Sequence, residues 1–425
     1  MKTTTRVIFF SSLGGVLEFY DFIIYALLAH YLSENFFPSH DARLSLILTL
    51  ATFAIGYIVR PIGGIFFGHQ GDMKGRKKPF TLTVMMMALS TLFIGFLPTY
   101  ASVGIWAPLM LIALRVLQGF SVGGEIPGGI TYLSEVAPKN KALVCSLLFF
   151  CLIGGIVLGL CSSLLLHHFL TAQQITQFGW RVPFIVGGVL GIVSFLIRRQ
   201  LVESPSFEKM LKDKEQVEIK LPLKLLLSKY PKQLLAGFFV TGAGASSIMI
   251  FFLLLPTFLG KMQHYPIDYV LNSTTLGLLV GCILILLSGY CIDKLNTKLK
   301  SWFTISCVLS VLSALYIYDL FDQKVPDLLL PMMIGAVVIG LLWSAIPSIL
   351  SILFPTGVRY SGIGLVYNVA FASIGGLAPV ISLSLIEYSH SLMGPAYYQM
   401  IASALGLVGM WVLKGQNLTL NRDKF

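Results

Sequence analysis

Seven polar side chains interrupt long apolar stretches of this sequence, and their types are those of proton and anion chemistry. Glu18 and Asp21 lie three residues apart with Tyr25 four further on, so a helix would project all three from one face. Arg60, Arg115, Gln118 and Glu125 follow in later apolar runs. An ionisable group at mid-membrane costs about 2.5 to 3.5 kcal/mol, so charges kept there are expected to have a partner and a task. A carboxylate beside a mobile guanidinium can exchange a proton: burial favours the neutral acid, and a close cation favours the anion. One reading is a proton switch. Asp21 or Glu125 takes up a proton, Arg115 turns to an anionic substrate group, and neutralisation lets the helices move. The plainer alternative is mutual neutralisation, Arg115 with an acid of the first span and Arg60 with Glu125, locking helices together. No H-E-x-x-H, no G-x-x-x-x-G-K-[ST] and no motif of intramembrane proteolysis occurs, which argues against an enzyme and a nucleotide-driven pump. No cofactor is expected; a proton gradient would be the energy source.

The chain that must position these groups has 425 residues, 56% hydrophobic and 12% charged, where soluble domains carry about 25% charged residues. It reads as an all-α membrane protein. Twelve runs approach the length of about 20 apolar residues that a spanning helix needs. They cover 7–32, 43–68, 79–98, 103–134, 142–168, 181–199, 233–260, 269–292, 301–318, 328–353, 360–387 and 396–414. They are too long, and too apolar on all sides, for the alternating strands of a β-barrel. The first carries Glu18 and Asp21 and no small-residue cleavage site, so it is expected to be a retained span and not a signal peptide. Cys145, Cys151, Cys161, Cys282, Cys291 and Cys307 lie in apolar runs without a C-x-x-C pair, so neither a disulfide framework nor a zinc site is expected.

The net charge of +11 falls in short blocks between the spans and not on one face, so no nucleic-acid partner is expected. The even-numbered loops and both termini hold 24 lysines and arginines, against 4 on the other side (Arg43, Arg181, Lys261 and Lys324). By the positive-inside rule both termini are cytoplasmic. A basic segment, 200–232, separates an N-terminal six-helix bundle (1–199) from a C-terminal one (233–425). It is expected to act as a tether or to lie on an anionic inner leaflet. The halves repeat: Gly68-x-x-x-Asp72 recurs as Gly289-x-x-x-Asp293, and Gly154-Gly155 as Gly375-Gly376, both at an offset of 221 residues. Six spans per half insert the same way up, which implies parallel repeats about a central cavity.

Gly68-His-Gln-Gly-Asp72-Met-Lys-Gly75-Arg76-Lys77 resembles the G-x-x-x-D-R-x-G-R-R/K signature of the major facilitator superfamily, and Arg115-Val-Leu-Gln118-Gly119 its R-x-x-Q-G element. Gly15-Val-Leu-Glu18-Phe-Tyr-Asp21, Arg60-Pro61-Ile-Gly63-Gly64 and Gln118-Gly-Phe-Ser-Val-Gly123-Gly124-Glu125 together resemble its metabolite:proton symporter family. That resemblance implies a monomeric, multi-pass transporter of the bacterial inner membrane that imports a small organic acid or zwitterion with protons. Carboxylates, proline, betaine and shikimate all remain open as substrates. Proton-independent exchange or efflux is the alternative. It also implies an inner gate comprising Arg60, Gly68, Asp72, Gly75, Arg76, Lys77 and Asp293, with Asp72 accepting from a facing helix N-terminus.

Coupling would rest on Glu18, Asp21 and Glu125, and substrate binding on Tyr25, Arg115 and Gln118. The second half has no charge in the cores of spans 7, 8, 10 and 11. Trp343, Tyr367 and Asn368 are expected to supply neutral donors and an aromatic wall there, beside Thr241, Ser246, Ser247, Asn272 and Ser344. Met73 and Asn296 depart from the signature, which predicts weaker gating contacts. Span 5 lacks the G-P dipeptide of drug antiporters, which favours symport. The sequence stops soon after Lys414 without the coiled-coil tail of osmosensing relatives, so osmotic control by that route is not expected.

Overall fold

The computed structural model describes residues 2–39, 41–212, 221–295 and 298–413. Every regular element among them is helical. Six long helices form the first half: α1 (Lys2–Leu27), α2 (Ala42–Lys74), α3 (Lys77–Phe96), α4 (Trp106–Val136), α5 (Lys141–Phe169) and α6 (Arg181–Arg198). Six form the second: α7 (Pro231–Met262), α8 (Ile267–Lys294), α9 (Leu299–Asp322), α10 (Leu329–Leu353), α11 (Thr356–Ser389) and α12 (Gly394–Val412). Eleven are long and apolar enough to cross a membrane; α12, of 19 residues, is diluted at its start by Tyr397, Tyr398 and Gln399. Large apolar side chains such as Ile58, Leu164, Ile283 and Leu312 point outward, as a protein dissolved in lipid requires.

The expected repeat is visible in the packing. In the first half α1 packs on α5, α2 on α4 and α3 on α6; in the second α7 packs on α11, α8 on α10 and α9 on α12. The halves meet where α2 crosses α11 and where α5 crosses α8. Both crossings lie at the basic end of the bundle, where Lys74, Arg76, Lys139, Lys294 and Arg359 cluster.

One boundary differs usefully from expectation. Apolarity ends near Gly68, but α2 continues to Lys74, because helical hydrogen bonding does not require apolar side chains. It stops at Gly75, whose φ of 102° lies in the region where glycine alone is unstrained. A Cβ there would also meet the Glu203 carboxylate.

The segment joining the halves is docked to this end. Short helices Pro205–Lys212 and Pro222–Lys229 bury Phe207 and Leu226, and the Tyr132 hydroxyl donates to the Val202 carbonyl at 2.8 Å. Lys214, Lys220, Lys414, Arg422 and Lys424, used in the charge count, and Asn296 of the second-half motif lie outside the described residues.

Candidate functional site

Close approach of α2 to α4 builds the site. A Cβ on Gly63 would run into the Phe120 carbonyl, and one on Gly123 into that of Arg60, so these glycines let the two backbones touch. That contact brings Arg60 and Arg115 to one cavity facing the acidic side of α1. Its lining includes Glu18, Asp21, Phe22, Phe53, Tyr57, Arg60, Arg115 and Gln118.

Two ion pairs sit in it. Arg60 Nη2 lies 3.5 Å from Glu18 Oε1, and Arg115 Nη1 lies 3.3 Å from Asp21 Oδ2. Asp21 Oδ1 also accepts from the Thr91 hydroxyl at 2.9 Å, which itself accepts from Gln118 Nε2 at 2.9 Å. The Arg115 guanidinium is 3.6 Å from the centre of the Tyr25 ring, and the Tyr25 hydroxyl is spent on the Thr49 carbonyl at 3.1 Å. Tyr25 thus backs Arg115 and does not open to the cavity. Arg115 Nε and Nη2, Arg60 Nε, Gln118 Oε1 and Glu18 Oε2 are buried without a protein partner.

Arg115 pairs with an acid of the first span as expected, but one expected pairing and one expected placement are corrected. Arg60 does not pair with Glu125, nor does it stand at the gate: twelve residues separate it from Asp72, about 18 Å along α2, and its partner is Glu18. Glu125 instead receives Arg198 Nη1 at 2.5 Å and the Thr83 hydroxyl at 2.6 Å. Arg198, counted among loop charges in the sequence, is fully buried; it also donates to the Ser11 carbonyl at 2.7 Å and lies 3.9 Å from the centre of the Phe80 ring. In the sequence Arg198 and Arg199 form one basic doublet after an apolar run, and packing alone distinguishes them.

At the basic end, Asp72 accepts from the backbone N–H groups of Tyr360 (3.1 Å) and Ser361 (2.9 Å), at the N-terminus of α11 in the other half. Asp293 makes the matching contact with the start of α5, accepting from Ala142 (3.3 Å) and Leu143 (2.8 Å). Gly68 lets Ser361 approach α2. Arg76 lies 3.4 Å from Asp72 and 3.2 Å from Glu135, and donates to the Thr356 carbonyl at 2.5 Å across the interface. Burial opposes its charge, yet Glu135 and Asp72 hold its pKa above the ordinary guanidinium value.

The same knot contains residues that sequence reading did not single out for the gate. Arg359 of the second half reaches Glu135 at 2.6 Å, and the Ser204 hydroxyl donates to Glu135. Glu203 accepts from the backbone N–H groups of Arg76 and Lys77 at 2.9 and 3.2 Å. For Glu135, Glu203 and Arg359 the only mark in the sequence is charge close to an apolar run, and Ser204 carries none.

A further contact between the halves follows from a proline. Pro127 has no N–H, so the Gly123 carbonyl one turn earlier in α4 lacks its helical donor. Asn368 Nδ2 of α11 donates to it at 2.7 Å, and the Tyr360 hydroxyl donates to the neighbouring Gly124 carbonyl at 2.7 Å. Trp343 stacks on Phe149 (4.7 Å between ring centres), and Tyr367 lies 4.6 Å from Phe371. None of Trp343, Tyr367 and Asn368 lines the charged cavity in this conformation. Phe371 of the second half approaches one of its members, with its ring centre 5.5 Å from the Arg60 guanidinium. Thr241, Ser246, Ser247 and Ser344 are buried, while Asn272 is exposed.

Residues 11–379 match the family model of the Major Facilitator Superfamily. This chain belongs to the major facilitator superfamily. The proline/betaine transporter of Salmonella typhimurium is 31% identical over 408 residues, covering 94% of this chain and 81% of that protein. The glycine betaine/proline/ectoine/pipecolic acid transporter OusA of Dickeya dadantii is 30% identical, covering 96% and 83%. In fold, the proton:xylose symporter XylE bound to 6-bromo-6-deoxy-D-glucose superposes with a TM-score of 0.79 at 16% identity, covering 96% of this chain and 95% of that one. The inward-open conformation of the E. coli xylose transporter XylE gives 0.62 at 17% identity, covering 98% of each chain. The superfamily expectation is therefore borne out, and this member is a multi-pass membrane transporter.

Proposed function

We propose that this chain imports a small zwitterionic or anionic organic metabolite, of the proline and betaine kind, by proton symport through alternating access. The observation that carries this reading is the cavity of α1, α2 and α4, which joins two guanidinium groups, two carboxylates and four aromatic rings. Arg60 Nε and Arg115 Nε and Nη2 are buried donors without a protein partner, open to a substrate carboxylate. Phe22, Phe53 and Tyr57 form a cluster with ring centres 4.3, 5.0 and 5.9 Å apart, a surface suited to an ammonium group shielded by carbon. The proline/betaine and glycine betaine/proline/ectoine/pipecolic acid transporters to which the chain is similar agree with such a cargo.

Glu18 and Asp21 are the carboxylates within reach of cargo, and Glu125 is the third candidate for coupling. Asp72, Arg76 and Asp293, with Gly68, Gly75 and Lys77, close the inner gate. With both termini in the cytoplasm, as the charge distribution argues, that closed end faces inward. The bundles 1–199 and 233–425 then rock about the cavity as a monomer in the bacterial inner membrane, joined by 200–232. Uptake of labelled glycine betaine, proline, a dicarboxylate and shikimate into proteoliposomes, with and without an inside-alkaline gradient, tests this. Gradient-driven accumulation of one of them is expected. Equal uptake with and without the gradient would instead favour exchange.

A further inference from the structure

The three acidic candidates for coupling are not equally held. Glu125 has both carboxylate oxygens engaged, by Arg198 and by Thr83. Asp21 likewise uses both, on Arg115 and on Thr91, and Thr91 is fixed in turn by Gln118. Glu18 differs: Oε1 meets Arg60 only at 3.5 Å, the outer edge of hydrogen bonding, and Oε2 has no protein partner although the side chain is 2% exposed. Protonating Asp21 or Glu125 would take the charge assistance from bonds on both oxygens, whereas protonating Glu18 at the unpartnered Oε2 weakens only the long contact to Arg60.

The Arg60 guanidinium is also placed to pass the change on. It lies 5.4 Å from the centre of the Tyr57 ring in its own half and 5.5 Å from that of Phe371 in the other. Arg115, by contrast, is stacked on Tyr25 and tied to Asp21 within the first half. The charged and titratable groups around Glu18 are Asp21 on α1, Arg60 and Tyr57 on α2, Arg115 and Glu125 on α4, Arg198 on α6 and Tyr367 on α11, with Arg115 already matched by Asp21. Arg198 is already matched by Glu125, so Arg60 is the cation that answers a change at Glu18.

We infer that Glu18 carries the coupled proton and Arg60 is the cation it releases, while Asp21 and Arg115 stay a fixed pair that shapes the cavity. This rests on the symport reading above. The proton arrives from water in the outward-open cavity and adds to Glu18 Oε2. The Glu18–Arg60 attraction falls, and Arg60 turns to the substrate carboxylate; with a zwitterionic cargo the cavity gains the proton's single positive charge, which is the charge carried across the membrane. After the bundles rock, substrate departs, the proton leaves Glu18 for inner water, and Arg60 pairs with Glu18 again. One proton in and one proton out accompany each substrate.

The test uses the full-length protein in proteoliposomes with labelled glycine betaine, and labelled proline in parallel. The unaltered protein should accumulate one of them under an imposed gradient; one charge moving through 100 mV supports a ratio of about fiftyfold. Glu18→Gln should lose that accumulation and keep substrate counterflow within about threefold of the unaltered rate, a smaller change than the coupling loss. Its counterflow should no longer vary with pH. Asp21→Asn should lose counterflow and accumulation together. Glu18→Asp, which keeps the carboxyl group, should retain gradient response; retained counterflow and unchanged thermal melting of Glu18→Gln in detergent show that its loss of coupling is not misfolding. Retained accumulation in Glu18→Gln, or the uncoupled phenotype in Asp21→Asn, overturns the assignment and leaves symport standing. No gradient response from the unaltered protein with either probe overturns both.

Discussion

The two halves share a packing plan and differ in what they bury. Of ten buried charged side chains among the described residues, nine lie in the first half and one, Asp293, in the second. Where the first half uses ion pairs, the second uses neutral hydrogen bonds: Gln399 accepts from Ser246 at 3.0 Å and donates to Ser310 at 3.0 Å and Ser403 at 3.2 Å. Buried charges are costly and respond to protons, while amides and hydroxyls at these positions do not titrate near neutrality. Repetition of the fold therefore does not require repetition of the chemistry. One bundle can respond to hydrogen ions while the other supplies a surface to move against.

The strongest way to break this contrast is to unpair a charge in the first half. Arg198→Ala leaves Glu125 buried with Thr83 alone, and a loss of about 3 to 5 kcal/mol in detergent-solubilised stability is expected; a change below about 1 kcal/mol, the scale of an exposed pair, would mean that the pair contributes little. The gates come next. Asp72→Asn should weaken the hold on the α11 N-terminus by about 1 to 2 kcal/mol and shift accessibility toward the inward-facing form, read by thiol labelling of cysteines introduced into the cavity. Asp293→Asn should act in the same direction, since it holds the symmetry-related crossing.

Asn368→Ala removes the bond to the carbonyl freed by Pro127 and should shift the same labelling equilibrium by about 1 kcal/mol, roughly fivefold; unchanged labelling would remove Asn368 from the gate. The smallest effect on transport is expected in the second half. Gln399→Ala should cost about 1 to 3 kcal/mol of stability by leaving hydroxyls unpaired, yet leave the ratio of gradient-driven to passive uptake unaltered. A fall in that ratio would show that the neutral bundle takes part in coupling.

Much of this was readable from residue order. Glu18, Asp21 and Arg115 share the cavity because a three-residue spacing on one helix and a lone arginine on another leave few other arrangements in lipid. The Asp72 and Asp293 repeat marked the two crossings because an aspartate just past an apolar run faces whichever helix begins nearby. Arg60 and Arg198 were misjudged for different reasons. For Arg60, the span limit drawn from hydropathy ends near Gly68 while the helix runs on to Lys74, so Arg60 looked too shallow. Arg198 sits at the last residue of its helix, and charge at a helix end reads as exposed until packing buries it.

Sequence alone determined the number of spans, the internal repeat and the class of protein, because each follows from local properties: hydropathy over the width of a bilayer, the distribution of basic residues and short signatures. Tertiary structure decided who pairs with whom. Glu18 with Arg60, Glu125 with Arg198, and Asn368 with a proline-freed carbonyl all depend on how deeply each helix sits and how it is rotated. Contacts of a few ångströms between glycines on different helices set those two quantities, and no periodicity within one helix encodes them.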